Sequence, residues 1–302
     1  MTVEKLKTKI NKLKKEKNAV IMAHNYQIPD IQDISDHQGG SLQLAKLSKD
    51  VKNNLIVFCG VRFMAESIKI LAPKKKILIP EPEAGCPMAD MITREDMKKI
   101  RKDYPEYSIV AYVNTSAEVK AEADICCTSA NAIDIVKNYP NDKIYFVPDK
   151  NLGGWVKKNV PEKEIKIWQG FCSVHNNISM YDFEEGKKNH PDACTLIHPE
   201  APMDVLKKSD EVLSTGQMVD FVGKTDKQDF LIGTEKGLIY RLKTLYPDKN
   251  FYKLGRYFIC RNMKKNTLKK LYISLKKDKY ELNLDTEIRD KAYRAINNMF
   301  KY

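Results

Sequence analysis

Runs of apolar residues that end in polar side chains recur along this chain. The runs AVIMAHNY (19–26), SIVAYVN (108–114) and CTLIHPE (194–200) each hold four to six apolar or β-branched residues, and each follows a charge-rich stretch of helical pattern. Such runs, bounded by turn residues, indicate strands of a parallel sheet that is covered on both faces. Since α/β folds place their sites at the carboxyl ends of these strands, the polar residues ending each run are candidate site residues.

The segments that follow each run also match one another. After about 15 residues, a turn of small residues leads into a helix at 39–48, 127–136 and 213–222. A second strand follows at 55–61, 143–149 and 229–235, and a last short strand leads to a lone cysteine within 76–86, 164–172 and 252–260. We therefore expect a β/α unit of about 87 residues, repeated three times. Each unit is large enough for a three-layer αβα sandwich with a parallel sheet.

Polar positions keep the register of this repeat. Adding 88 to His24, Tyr26, Asp36 and Ser41 gives Tyr112, Asn114, Asp124 and Ser129, and adding 86 more gives His198, Glu200, Asp210 and Thr215. The cysteines follow at 86, 172 and 260, and a two-residue deletion in the middle copy accounts for every offset. The predicted fold class is therefore α/β, with three αβα domains related by a pseudo-threefold axis.

These offsets also predict the boundaries of the repeat modules. We expect modules at 1–88, 89–174 and 175–260, packed tightly because no linker or low-complexity segment separates them. The tail, 261–302, has the pattern of one or two amphipathic helices, which we expect to pack on the first module.

The composition is ordinary for a soluble globular protein, with 302 residues of which 42% are hydrophobic and 30% charged. No apolar run approaches the roughly 20 residues of a membrane span. The N-terminal stretch MTVEKLKTKINKLKKEK is basic but lacks the apolar core of a secretory signal. Seven cysteines without paired spacing indicate reduced thiols. We expect a cytoplasmic protein with no membrane partner.

The net charge of +12 could serve nucleic acid or an acidic substrate. Lysine supplies most of the excess, arginine is scarce, and no basic stripe alternates with aromatic residues. This distribution favours a solvated surface over nucleic-acid binding, and it is compatible with a field that steers small anions.

Three cysteines, Cys86, Cys172 and Cys260, stand alone at the same point of each module. Three thiolates on one axis could hold a 4Fe–4S cluster with one iron that lacks a protein ligand. They could also hold zinc with His175 as a fourth ligand, or they could be buried apolar thiols. As a threefold set they favour metal ligation. We assign the other four cysteines to the core, namely Cys59, Cys126, Cys127 and Cys194.

The hydroxyl residues Ser41, Ser129 and Thr215 stand at the small-residue turns where helices begin. Singly, each would be a helix cap. Three helix starts that point at one axis would instead form a site for a phosphate or a dicarboxylate. One hydroxyl can serve both purposes.

The strand ends supply donors, an acceptor and titratable groups, as general acid–base catalysis requires. These residues are His24, Tyr26, Tyr112, Asn114, His198 and Glu200. Two histidines at equivalent repeat positions favour function over a purely structural role. We expect the repeated aspartates Asp36, Asp124 and Asp210 to cap local backbone.

Three functions fit these residues. A cluster with an open iron would act as a Lewis acid in an enzyme that expels water. The same cluster would suit an aconitase-like hydro-lyase acting on another hydroxy acid. A zinc-stabilised binding module, for nucleic acid given the charge, is the alternative from a different class.

Nine segments in order carry a family resemblance: AHNYQIPDIQDISDHQGGSLQLAK, GVRFMAES, EAGCPMADM, AYVNTSAEVKAEADICCTSANA, FVPDKNLGGWV, WQGFCSVH, HPEAPMDVLKKSD, IGTEKGLIYRL and CRNMKKNTL. From about residue 19 to 270 the chain resembles the iron–sulfur quinolinate synthase family. Two departures are Gly40, where many members have aspartate, and Ala201, where some have cysteine. Neither removes a candidate ligand.

The resemblance implies three similar α/β domains around a central 4Fe–4S cluster, one per chain. It also implies condensation of iminoaspartate with dihydroxyacetone phosphate to quinolinate, phosphate and water, early in NAD synthesis. Family cluster ligands fall on Cys86, Cys172 and Cys260. Substrate-binding positions fall on His24, Ser41, Tyr112, Val113, Asn114, Ser129, His198, Pro199, Glu200 and Thr215, and Tyr26 and His175 match residues that line the cavity.

Within this set we expect acid–base roles for Glu200 and Tyr26. We expect His24 and His198 to bind carboxylate or carbonyl oxygens. The expected partners are the two small-molecule substrates, with transient contact to the enzyme that makes the unstable imine, and no nucleic acid.

Overall fold

The computed structural model describes residues 2–302. Its sheets are built from short parallel strands. In chain order the strands are β1 (Ala19–His24), β2 (His37–Gly39), β3 (Leu55–Cys59), β4 (Lys76–Leu78), β5 (Ser108–Tyr112), β6 (Ile125–Cys127), β7 (Lys143–Val147), β8 (Glu164–Ile167), β9 (Cys194–Ile197), β10 (Glu211–Val212), β11 (Asp229–Gly233) and β12 (Asn250–Lys253).

These strands form three sheets with one topology. The orders are β2-β1-β3-β4, β6-β5-β7-β8 and β10-β9-β11-β12, and all pairings between these strands are parallel. The two central strands of each sheet are almost entirely buried, as expected where helices cover both faces. The predicted α/β class with three related αβα units is confirmed.

The strands alternate with helices and a helical tail. The helices are α1 (Val3–Glu16), α2 (Pro29–Ile34), α3 (Ser41–Asp50), α4 (Arg62–Leu71), α5 (Arg94–Asp103), α6 (Ala117–Ala121), α7 (Ala132–Asn138), α8 (Lys150–Asn159), α9 (Met180–Asn189), α10 (Met203–Lys208), α11 (Thr215–Lys224), α12 (Gly237–Leu245), α13 (Leu268–Lys277) and α14 (Thr286–Asn298). Short 3-10 turns follow at Ala89–Met91, Met263–Lys265 and Met299–Lys301. We call each sheet with its flanking helices a unit, numbered along the chain.

Each sheet has one strand more than the apolar pattern predicts. The additional strands, β2, β6 and β10, have only two or three residues, too few to show a period-2 pattern. An aspartate directly precedes each of them. Its carboxylate accepts the backbone N–H of the central strand 15 residues back, at 2.8 Å for Asp36 and Ile21, 2.7 Å for Asp124 and Ile109, and 2.8 Å for Asp210 and Thr195.

The repeated aspartates therefore bond backbone, as predicted. The N–H that they satisfy belongs to the neighbouring strand, so that each one fixes an edge strand to its sheet.

The units contact one another head to tail in a ring. Helix α2 of the first unit packs on α12 of the third, α6 of the second on α4 of the first, and α10 of the third on α8 of the second. Each contact joins equivalent helices, so a single kind of heterologous interface closes on itself after three copies. The apolar core is continuous across one of these interfaces, since Met22 and Phe58 share a cluster with Leu196 and Phe230.

The tail covers two units. Leu268, Leu271 and Leu275 of α13 pack with Ile21 and Val57 of the first sheet, and α13 lies against α1. Helix α14 lies instead on α6, β6 and α4, which places Ala292, Ala295 and Ile296 in the core of the second unit.

The connection between these two helices runs along the edge of the first sheet. Leu282 donates its backbone N–H to Ile77, and Leu78 and Glu281 form an antiparallel bridge. Within residues 2–302, no helix has the length and apolar character needed to cross a bilayer.

Gly237, at the start of α12, lies where the third unit packs closely on the first. A Cβ added there would lie 2.8 Å from the backbone Cα and C of Tyr26 in the first unit. We expect Gly237→Ala to reduce the free energy of unfolding by about 1–3 kcal/mol, because backbone cannot move aside as a side chain can. Urea denaturation measures the effect.

Gly154→Ala is the matched control, since Gly154 lies in the equivalent helix α8 and its added Cβ would meet nothing closer than 3.6 Å. That variant should be neutral or slightly more stable. Equal stability of the two variants would contradict tight closure at the interface.

Candidate active site

A cavity of about 350 Å³ lies where the carboxyl ends of the three sheets meet, and all three units line it. Nine of the predicted site residues contribute to its wall: His24, Tyr26, Ser41, Tyr112, Asn114, Ser129, His198, Glu200 and Thr215. Three others do not, since Val113 and Pro199 are buried beside the strand ends and His175 lies behind Glu200. Lys46, Gln217 and Asp220, which the sequence pattern did not single out, also line the cavity.

The two strand-end histidines adopt the same local geometry. The backbone N–H of Tyr26 faces Nδ1 of His24 at 3.2 Å, and that of Glu200 faces Nδ1 of His198 at 3.4 Å. Nδ1 therefore accepts, and the proton of each neutral ring lies on Nε2. Burial lowers the pKa of both rings to about 3, assisted by Lys264 for His24 and by His175 for His198. Both residues are neutral N–H donors at physiological pH.

The Glu200 carboxylate accepts hydrogen bonds from three side chains of the site. Its Oε2 lies 2.6 Å from Nδ1 of His175, its Oε1 accepts from Asn114 Nδ2 at 3.3 Å, and Tyr112 also donates to the carboxylate. Burial alone would raise the pKa of Glu200, but its histidine neighbours and these hydrogen bonds lower it. Because His198 is neutral at pH 7, the hydrogen bonds from His175 and Tyr112 are what keep the pKa of Glu200 low at that pH. Glu200 is a buried carboxylate that remains ionised.

Tyr26 connects to this carboxylate through His175. The Tyr26 hydroxyl lies 2.6 Å from Thr234 Oγ1 and 3.3 Å from Nε2 of His175, whose Nδ1 faces Glu200. Burial, together with the negative charge of Glu200, raises the pKa of Tyr26 well above its usual value. The phenol therefore keeps its proton, and a hydrogen-bonded path runs from Tyr26 to Glu200 across the first and third units.

Thr234 closes this path and was missed by the sequence pattern. Its Oγ1 lies 2.8 Å from Nε2 of His175, and it is 2% exposed. The residue directly follows β11, at the sheet edge where the other site residues lie. A hydroxyl that directly follows the second strand of its unit was the available signal in the sequence.

The hydroxyls at the helix starts are not helix caps. Ser214, not Thr215, accepts the N–H of Gln217 and caps α11, and Asn131 is the N-cap residue of α7. Gly40 is the N-cap residue of α3 and has no side chain to offer. Ser41 and Thr215 thus begin their helices without capping them, the Thr215 hydroxyl accepts from Asn25 Nδ2 at 3.3 Å, and Ser129 bonds Tyr112. The cap interpretation is wrong for these three residues.

The three singled-out cysteines begin equivalent turns. The carbonyl oxygens of Cys86, Cys172 and Cys260 accept N–H groups four residues on, at 3.2, 2.8 and 3.3 Å. Each sulfur accepts the N–H three residues on, from Ala89, His175 and Met263. Burial raises the pKa of all three thiols, and the charge of a neighbouring cysteine adds to this at Cys86 and Cys172. The three partly exposed, unpaired thiols therefore converge.

Their separation distinguishes a cluster from a single ion. In residues 2–302, the set whose ligand atoms all lie within 4.8 Å of one another is Cys172, His175 and Glu200, and the three cysteines do not form such a set. Two sulfurs on one zinc, at about 2.3 Å each, are at most about 4.6 Å apart. The cysteine set as a whole is thus too wide for one ion, whereas a cluster is several ångströms across. Three thiols supplied with backbone N–H donors fit an iron–sulfur centre.

The remaining cysteines lie in the core as predicted. Cys59, Cys126, Cys127 and Cys194 are buried in strands β3, β6 and β9. Burial raises the pKa of all four thiols. None lines the cavity.

Comparison with known proteins gives full-length matches. A family model described as Quinolinate synthetase A protein matches residues 8–301. A quinolinate synthase of Caldicellulosiruptor bescii is 51% identical over 301 residues, which cover 100% of this chain and 99% of that protein. Those of Alkaliphilus metalliredigens and Clostridium perfringens are 48% and 44% identical, and the matches cover 97% and 98% of this chain and 96% and 98% of those proteins. These relatives leave the binding module and the hydro-lyase without support.

The buried histidines make stability depend on pH. Their folded-state pKa of about 3 is below the ordinary 6.5, so the stability they contribute is present above pH 6.5 and is lost as the pH falls towards 3. Between pH 7.5 and 5.5 we expect the free energy of unfolding to fall by about 1 kcal/mol for each ring.

His24→Gln should remove one of these two contributions. Urea unfolding at both pH values, with circular dichroism to establish the native fold, measures it. A pH dependence identical to that of the wild type would show that His24 is not held neutral.

Proposed function

Because the chain belongs to the quinolinate synthetase A family, and is thereby an enzyme of the quinolinate synthase type in NAD biosynthesis, we propose that it condenses iminoaspartate with dihydroxyacetone phosphate. The products are quinolinate, inorganic phosphate and two molecules of water, which balances the atoms of the two substrates. The observation that carries this proposal is one cavity, lined by all three units, that combines neutral N–H donors, an ionised carboxylate and a neutral phenol.

The reaction sets three requirements for the protein. A base must remove a proton from the triose phosphate, donors must hold carboxylate and phosphate oxygens, and acids must protonate the departing phosphate and water. Both substrates are anions, and the net charge of +12 favours their approach.

The anionic ends are held by helix starts and by histidine. Ser41 and Thr215 place their hydroxyls and the first N–H groups of α3 and α11 at the cavity wall. Such N-termini carry partial positive charge. Nε2–H of His24 and of His198 adds donors that remain neutral, so they bind oxygen atoms without taking a proton from the substrate.

Glu200 is the proposed base and Tyr26 the proposed acid. The Glu200 carboxylate accepts a proton from the substrate, while the hydrogen bond from Nδ1–H of His175 holds that carboxylate in place. Nε2 of His175 faces the Tyr26 hydroxyl, which donates its proton to a leaving oxygen, so that the proton gained by Glu200 balances the one lost by Tyr26. Within residues 2–302, the buried Oδ1 of Asn114 has no hydrogen-bond partner, and it can accept a substrate N–H or O–H group.

Cys86, Cys172 and Cys260 would hold a 4Fe–4S cluster in which one iron lacks a protein ligand. When bound, it supplies a Lewis acid for the departure of oxygen. We retain the module boundaries at 88, 174 and 260 as part of this proposal, because each module then contributes one cysteine and one sheet.

Anaerobic purification and assay test the cluster and the substrates together. The wild-type protein should be brown, contain about four irons per chain, and form quinolinate from iminoaspartate and dihydroxyacetone phosphate. Cys172→Ala should lose cluster absorbance and turnover, whereas Cys194→Ala, which changes a thiol buried in β9, should keep both.

A colourless wild-type protein would contradict the cluster. A brown protein without quinolinate formation would contradict the substrates. Full iron and full turnover in Cys172→Ala would remove this residue from the ligand set.

Glu200→Gln tests the base. We expect the rate of the chemical step to fall by about 10²–10⁴-fold while dihydroxyacetone phosphate still binds, because an amide cannot take the proton. Single-turnover kinetics and exchange of substrate hydrogen with D₂O measure the step. Asp220→Asn, which neutralises another acid of the cavity wall, is the matched control and should retain near-normal exchange. Normal exchange in Glu200→Gln would exclude the base role.

A further inference from the structure

A buried ion pair lies beside the turn of Cys260, and neither of its members has a catalytic or binding role in the proposal above. Glu235 is fully buried, and its carboxylate accepts the backbone N–H of Cys260 at 3.1 Å and that of Gly237 at 2.7 Å. Nζ of Lys264 lies 2.8 Å from Oε1 and 2.9 Å from Oε2 of the same carboxylate. All four acceptor positions of this carboxylate are thus directed at the turn or at the start of α12.

Lys264 also extends across the interface between units. Its ammonium group donates to the backbone carbonyl of Tyr26 in the first unit. This is the segment that Gly237 approaches most closely, and it carries the phenol of the hydrogen-bonded path. One lysine therefore joins the Cys260 turn to the backbone of Tyr26.

The second unit makes the same two connections with mostly neutral groups. Asp149, equivalent to Glu235, accepts the N–H of Cys172 at 3.1 Å. Asn176, equivalent to Lys264, bonds Asn151 at 3.0 Å, and Asn151 donates to the carbonyl of Glu200 at 2.9 Å. Glu200 is the repeat equivalent of Tyr26. Each of these strand ends is therefore held by the cysteine turn of the neighbouring unit: the Cys260 turn holds Tyr26, and the Cys172 turn holds Glu200.

A structural role alone does not require the charges. The second unit shows that neutral amides can hold a strand end, and a buried ion pair is on average no more stable than a neutral replacement. The first unit has Val61 and Asp90 at the equivalent positions, so the cationic member occurs at one of the three turns. An ammonium ion beside one thiolate ligand adds a field that an amide cannot provide.

We propose that Glu235 and Lys264 are a positioning pair that fixes Tyr26 to the Cys260 turn and sets the charge balance at that ligand. The inference rests on the proposed cluster at Cys86, Cys172 and Cys260. The effect on the cluster follows from charge. Removal of Lys264 leaves Glu235 uncompensated beside the cluster, whereas removal of the Glu235 charge leaves the lysine.

Four variants test the pair: Lys264→Met, Lys264→Arg, Glu235→Gln and the double variant Lys264→Met/Glu235→Gln. The readouts are iron content, the midpoint potential from electron paramagnetic resonance during anaerobic titration, and kcat and KM. Lys264→Met should lower the midpoint potential, Glu235→Gln should raise it, and the double variant should return it towards the wild-type value.

Turnover should depend on the hydrogen bond from Lys264 to the backbone carbonyl of Tyr26. We expect kcat to fall about tenfold or more in Lys264→Met with little change in KM, and Lys264→Arg to recover much of it. Lys14→Met is the control, because the Lys14 side chain is about as exposed as that of Lys264, 19% against 17%, and pairs at 2.7 Å with the more exposed Asp36, away from the cysteines. It should leave the midpoint potential and kcat unchanged.

Wild-type midpoint potentials in both single variants, or shifts in the same direction, would overturn the proposal. Loss of iron from Lys264→Met alone, with iron retained in the double variant, would support it, since the uncompensated carboxylate is then the cause. Loss of iron from the double variant and from Lys264→Arg would overturn it in favour of a packing role. The midpoint potential needs no substrate, so failure of the proposed reaction would be seen separately, as absence of quinolinate formation by the wild type.

Discussion

Head-to-tail closure of three similar units is the constraint on which this structure depends. A parallel sheet already gathers polar strand ends at one edge, and a ring that closes through α2–α12, α6–α4 and α10–α8 directs three such edges to one axis. The cavity, the cysteine turns and the hydrogen-bonded path all lie where these edges meet. A single unit would hold neither the cavity nor the hydrogen-bonded path, because the cavity draws on three units and the path on two. This is the reason that backbone contacts at the interfaces, such as that between Gly237 and Tyr26, bear on function as well as stability.

Threefold geometry and asymmetric chemistry coexist because the three copies belong to one chain. Equivalent strand-end positions hold His24, Tyr112 and His198, and the positions two residues on hold Tyr26, Asn114 and Glu200. The fold places these side chains symmetrically, while their pKa values diverge with their neighbours. A phenol that keeps its proton and a carboxylate that loses it therefore occupy related positions, which is the arrangement that acid–base catalysis needs.

Much of this arrangement was accessible from the sequence, because strand periodicity and a fixed repeat offset are local, countable signals. The central strands, the convergence of Cys86, Cys172 and Cys260, and most of the cavity wall follow from them. What escaped prediction depends on contacts between distant segments. The edge strands are too short to show a period, Thr234 bonds His175 59 residues away, and α14 packs on the second unit, whereas the whole tail was expected on the first. The capping assignment failed for a different reason, since Ser214 and Thr215 are adjacent hydroxyl residues that composition alone cannot rank.

Burial of the site residues connects the fold to the proposed reaction. The same burial that lowers the pKa of His24 and His198 to about 3 would oppose ionisation of Glu200, and hydrogen bonds from His175 and Tyr112 reverse that effect at one residue only. In water these groups would titrate near their ordinary values, and the histidines would compete with the substrate for protons around neutral pH. Closure of the ring thus does more than assemble ligands. Burial at the closed ring separates the pKa values of these groups, so that neutral imidazoles and one ionised carboxylate line the same cavity.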